Sequence, residues 1–119
     1  MNAIQETLEQ LHSTPGIKVA SVVTLDGLVA AEVLDERFRS DVIAGLASYL
    51  LMTTNKSLRE GGFGECSQFL LHATHGKVIL SALRDAYLVV VFDQFADMAS
   101  VRASVKTAAL RIRNTSRID

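Results

Sequence analysis

Apolar residues in the first part of the chain recur at helical spacing. Ile4, Leu8 and Leu11 stand at i, i+4 and i+7 within residues 2–13, with Gln and Glu between them, which predicts an amphipathic helix. Thr14-Pro15-Gly16 ends it, because proline pushes the preceding residue out of helical geometry and glycine tolerates left-handed geometry. The pattern then changes period. Two β-branched runs, Ile17–Thr24 and 28–33, flank Leu25-Asp26-Gly27, and Asp-Gly supplies the positive φ angles of a tight hairpin turn. In the first run Ile17, Val19, Ser21 and Val23 share one face, and Lys18, Ala20, Val22 and Thr24 the other. Both faces are partly apolar, so the sheet is expected to be covered on more than one side.

The longest helical pattern covers 37–59. Phe38, Val42, Leu46 and Leu50 recur with Ile43, Ala47, Leu51 and Leu58 beside them, Asp35 or Ser40 is available to cap the start, and Gly61-Gly62 to stop the end. Its four consecutive residues Tyr49-Leu50-Leu51-Met52 span most of a turn, so they cannot all face one sheet. Some of them must meet another surface. Three further strands are predicted at 67–73, 77–84 and 87–92, joined by His75-Gly76 and Arg84-Asp85-Ala86 as short connections of an antiparallel meander. Leu88-Val89-Val90-Val91-Phe92 is apolar on both faces, as a central strand requires. A last helix starts near Asp93 or Asp97, with Met98, Val101, Val105, Ala108 and Ile112 at helical spacing. Arg102, Lys106, Arg111, Arg113 and Arg117 fill its body and end, an order that complements the helix dipole. The expected fold is α+β, in the order α-β-β-α-β-β-β-α. It is a sandwich around one five-stranded antiparallel sheet.

At 119 residues, 49% hydrophobic and 21% charged, the chain suits one domain spanning 1–119. Its net charge of −1 disfavours a nucleic-acid backbone as partner, and the absence of Trp argues against base stacking. The charge is uneven. Residues 1–65 hold nine acids and five bases, whereas 66–119 hold four acids and seven bases. One cysteine, Cys66, excludes an internal disulfide and a thiolate metal cluster. No apolar run is long enough for a transmembrane helix, and the N-terminus lacks signal-peptide regions. A cytoplasmic protein without membrane insertion is expected.

Catalytic chemistry finds no constellation. His72 and His75 are the nearest approach to a metal pair, but their spacing on a strand would turn them to opposite faces. Cys66 reads as a small, partly buried residue, since nothing near it activates a thiolate. The Gly61-Gly62-Phe63-Gly64 segment follows a helix and lacks the Lys-Ser/Thr of a phosphate-cradling loop. Asp26 and Asp85 fit tight turns. The basic residues of the last helix read as a solvated face. No cofactor, no metal and no enzymatic activity are expected.

The element order and several local motifs resemble the roadblock, or dynein light chain, family. They are Pro15-Gly16-Ile17 leading into Val19-Ala20-Ser21-Val22-Val23, the hairpin Asp26-Gly27-Leu28-Val29-Ala30, the strand Leu88-Val89-Val90-Val91, and the helix start Phe95-Ala96-Asp97-Met98-Ala99-Ser100-Val101-Arg102. Ala99 stands where bacterial members tend to have glycine, which suits a helix better and leaves the fold intact. The resemblance implies a profilin-like roadblock sandwich of the bacterial gliding-motility regulator type. It also implies a homodimer, or a pair with a paralogue, that binds and regulates a small Ras-like GTPase as a scaffold or by accelerating hydrolysis. The dimer contact would run through the long helix at Val42, Leu46, Tyr49, Leu50, Met52 and Thr53. The strand after it would pair with its symmetry mate through Gln68, Leu70 and His72. Arg37 and Arg39 are the tempting partner-binding residues. The alternatives are an adaptor in a kinase or motor signalling complex and a small-molecule sensor domain.

Overall fold

A computed structural model describes residues 2–116. Its elements are α1 (Ala3–His12), β1 (Ile17–Thr24), β2 (Val29–Leu34), α2 (Ser40–Glu60), β3 (Gln68–Ala73), β4 (Gly76–Ala82), β5 (Ala86–Phe92) and α3 (Met98–Ser116). The five strands form one antiparallel sheet in the order β2-β1-β5-β4-β3. The last strand of the chain thus lies at the centre, and β2 and β3 form the two edges.

Helices cover both faces. On one, α1 and α3 bury Leu8, Leu11, Val101, Val105 and Ile112 against Ala20, Val22, Leu88, Val90 and Phe92. On the other, α2 sets Ala44, Ala47 and Leu51 on Val23, Val78, Leu80, Tyr87 and Val89. Successive residues of β5 therefore feed opposite cores, which explains its unbroken apolar run. Gly16, at φ +93°, closes the passage from α1 into β1. A Cβ there would sit 2.4 Å from that of Ala96, so the chain passes at a separation only glycine permits.

Several local expectations are corrected. Ile17 does not share a face with Val19, because a bulge inserts Lys18 between the pairs Ile17–Phe92 and Val19–Val91. Ile17 is thereby turned into the α1/α3 core. In the β1–β2 turn only Gly27 takes positive φ; Asp26 instead accepts a hydrogen bond from the Thr24 hydroxyl. The turn is a four-residue connection, Leu25 to Leu28, closed by the Gly27 amide donating to Thr24 O, and Ala30 is the extra residue where β2 slips register. The long helix begins at Ser40 rather than 37, which leaves Phe38 outside it. Neither Asp35 nor Ser40 caps it: Asp35 pairs with His12 of α1, and the Ser40 hydroxyl donates to Glu32. Tertiary partners on α1 and β2 have claimed both capping groups.

Strand ends shift by one or two residues from expectation. Ser67 precedes β3, Gly76 belongs to β4, and β4 stops at Ala82. His75 lies in the two-residue connection Thr74-His75 and not on a strand. Of the two candidate starts for the last helix, Asp97 is the one that caps it. Its carboxylate accepts from the amide and hydroxyl of Ser100, while that of Asp93 accepts from the Phe95 amide in the preceding turn. Arg117 lies outside the described residues.

Candidate interaction surface

The turn of α2 decides which of its apolar side chains the sheet can use. Ala44, Ala47 and Leu51 point at the sheet. Val42, Leu46, Tyr49 and Met52 point away and are 41–66% exposed, against 5% for Leu51. The consecutive residues 49–52 are thus divided, with Leu51 in the core, Leu50 half-buried against its flank, and Tyr49 and Met52 in solvent.

Val42, Gly45, Tyr49 and Met52 succeed one another at spacings of three, four and three. That is the rhythm of a helix–helix seam, with Leu46 and Thr53 alongside. Gly45 belongs to this outward row. A Cβ placed on it would meet nothing within 4 Å, so the rest of the chain gives no reason for a glycine in the interior of a 21-residue helix. Sequence reasoning found the outward apolar residues from their crowding round the helix but passed over Gly45. The signal was its place in the three-four rhythm.

β3 hydrogen-bonds to β4 on one side and forms the sheet's edge on the other. Gln68, Leu70 and His72 alternate onto one of its faces. Gln68 and His72 are exposed, and Leu70 leans on the α1/α3 core. Phe69 and Leu71 face the α2 side and pack against its core. The opposite edge is partly attended to, since the Gln5 amide of α1 donates to the Glu32 carbonyl of β2.

The remaining candidates are dispersed. Arg37 stacks over Phe38 at 4.8 Å from the ring centre, and Arg39 pairs with Asp41 at 2.9 Å in an exposed contact that holds it weakly. Cys66 is buried just before β3. Its amide donates to Asn55 Oδ1 of α2, its carbonyl accepts from the Tyr87 hydroxyl, and burial pushes its thiol pKa up, away from the thiolate form. Burial likewise raises Tyr87. These contacts, with Arg59 bridging both carboxylate oxygens of Glu65, tie the loop after α2 to the sheet. Among the described residues no three His, Cys, Asp or Glu side chains converge as a metal site, and no helix is long and apolar enough to cross a membrane.

Comparison with known proteins places this geometry. An uncharacterized protein of Methanocaldococcus jannaschii, MJ1340, is 30% identical over 110 residues, 92% of this chain and 96% of that one. Myxococcus xanthus MglB superposes with a TM-score of 0.90 at 16% identity, covering 98% of this chain and 96% of its own. A structure of MglB in a tetrameric arrangement gives 0.85 at 20% identity, covering 98% and 93%. Both solved structures share the fold. The Roadblock/LC7 domain model matches residues 3–92, from the start of α1 to the end of the central strand, and the chain belongs to that family.

Proposed function

We propose that the chain is a non-enzymatic, homodimeric interaction platform that binds and regulates a small Ras-like GTPase. The observation that carries the self-association is the outward row of α2. Four large apolar side chains in solvent on one helix face, around a glycine with no neighbour, form a seam without its other half. A second copy of the same helix fits that row by symmetry: two such faces self-complement, and Gly45 lets the backbones approach closely. Gln68, Leu70 and His72 on the open edge of β3 would extend the contact by strand pairing, which removes an exposed edge. Membership in the Roadblock/LC7 family supports a regulatory, protein-binding role. The fold shared with MglB, solved in a tetrameric arrangement, supports assembly.

The mechanism is positional. A dimer surface that holds the switch segments of a GTPase in one arrangement shifts their population, and hydrolysis then proceeds through the GTPase's own groups. Arg37 and Arg39 precede the start of α2 and act as contact residues and not as inserted arginine fingers.

Sedimentation velocity of wild type and of the double variant Tyr49→Asp/Met52→Asp tests the dimer. Both side chains are solvent-exposed, so the variant is expected to keep its circular dichroism and become monomeric. A nucleotide-dependent capture of a Ras-like GTPase from the native lysate, with a GTP analogue against GDP, tests the partner. Arg37→Ala/Arg39→Ala is expected to weaken that capture. Wild type that sediments as a monomer sinks the dimer, and capture of only a kinase-like or motor protein sinks the GTPase role.

A further inference from the structure

α3 carries a second surface, on the other side of the sheet from α2. Between Met98 and Ser116 it holds Arg102, Lys106, Arg111 and Arg113 and no acid. At about 100° per residue, Arg102, Lys106 and Arg113 fall within about 40° of one another. Arg111 is turned the other way, to α1, where it donates to Gln10 Oε1. The three aligned cations overhang a trough of about 320 Å³ between α3 and the sheet, with Gln68 of β3 and Ser81 of β4 on its far wall and the half-exposed Leu110 on α3 beside them. Among the described residues no carboxylate lines it. In a chain of net charge −1 this is a local excess of positive charge, set in a concave site where fields add.

We infer that this trough is a docking site for an extended, acidic peptide segment of a partner protein. The spacing fits. Four residues along α3 advance about 6 Å, and alternate side chains of an extended peptide on one face are about 6.6 Å apart. Acids at alternate positions of such a peptide therefore meet Arg102 and Lys106 in turn, while the intervening side chains face Gln68 and Ser81 on the far wall. A concave site suits an extended segment better than the flat plane of membrane headgroups. Among the described residues no aromatic side chain lines the trough to stack a base, which leaves a single-stranded nucleic acid without its main sequence-tolerant contact. The inference does not rest on the GTPase reading, because its cations stand on a different helix on the opposite face of the sheet; only Gln68 is shared with the strand pairing proposed for the dimer.

Fluorescence anisotropy on the full chain tests it. The probe is a fluorescein-labelled peptide of about twelve residues, long enough to span the trough, with Glu at alternate positions and Leu or Ser between; the control carries Gln in place of Glu. The Glu peptide is expected to bind at low salt and weaken as salt is raised. Arg102→Glu/Lys106→Glu is expected to weaken binding about tenfold or more while leaving circular dichroism and sedimentation unchanged. Lys56→Glu on α2 should leave binding as it was. Equal binding of the Gln peptide, or full affinity in the double variant, overturns the inference. So does tighter binding of oligo-dT or phosphatidylserine vesicles through the same two residues. Loss of self-association in the double variant would make the trough an interface between copies, and would overturn it too.

Discussion

Asp97 shows how a single side chain couples the fold to pH. Its carboxylate is held below its ordinary range by the Ser100 hydroxyl first and the Ser100 amide second, both donating to the ionised form. Because the folded state favours ionisation, the contribution is fully present above the ordinary carboxylate range and is lost as pH falls through the lowered value. Acidification should therefore reduce the melting temperature more in wild type than in Asp97→Asn, which caps without titrating. Thermal melts followed by circular dichroism from neutral to acid pH check this, and parallel losses in the two proteins would refute it. Such chemistry was legible in the sequence at several places where it is local in the chain: Asp97, one of two candidates before a helix, Gly16 after a proline, Gly62 at φ +83° beyond α2; the Asp-Gly turn is an exception, because Asp26 does not take the positive φ its pattern predicts. It was not legible where a distant residue decides. Ser40 and Asp35 have the composition of helix caps, but Glu32 and His12 take their side chains, and neither partner is close enough in sequence to be seen.

At the scale of the element, hydrophobic period identified every helix and strand, since each buries one stripe or two faces. Lys18 marks the limit of that reading. A bulge changes the phase of a strand without changing its composition, so Ile17 crossed to the other face unannounced. For α2 the pattern told more, because an excess of apolar residues over what one sheet can bury is visible in the sequence alone. Gly45 gives the element its sharpest test. Alanine there has open space within the monomer and better helix propensity, so Gly45→Ala should stabilise the monomeric Tyr49→Asp/Met52→Asp background by about 0.5–1 kcal/mol. In the dimerising protein the added methyl groups should push the paired helices apart and raise the dissociation constant. Denaturant melts and sedimentation equilibrium separate the two effects. A variant that gains stability and also dimerises more tightly would show that the helices do not meet at this glycine.

For the whole molecule, the sheet order sets a gradient of protection from β5 outward. β5 is hydrogen-bonded on both sides and buried on both faces, so its amides should exchange with deuterium slowest. The two edges should differ. If β3 pairs with its mate, protection along Gln68–Ala73 should rise with protein concentration while that of β2 stays constant. Equal behaviour at both edges would rule out the strand pairing. The trough along α3 was the part of the molecule least open to sequence reading. Arg102, Lys106 and Arg113 look like an ordinary solvated face until the fold sets Gln68 and Ser81 opposite them.

The position of β5 has a consequence for how the chain is made. The hairpin of β1 and β2 and the hairpin of β3 and β4 have no hydrogen-bonded contact with each other; β5 alone joins them. A chain emerging from the ribosome therefore carries two separate half-sheets until Phe92 is free, each with an unsatisfied inner edge. Assembly of the sheet is late and abrupt, and it closes a contact between the first strand and the last. Nascent chains stalled before residue 86 should be the species that chaperones hold and proteases cut. Those released beyond residue 92 have the last strand their sheet needs.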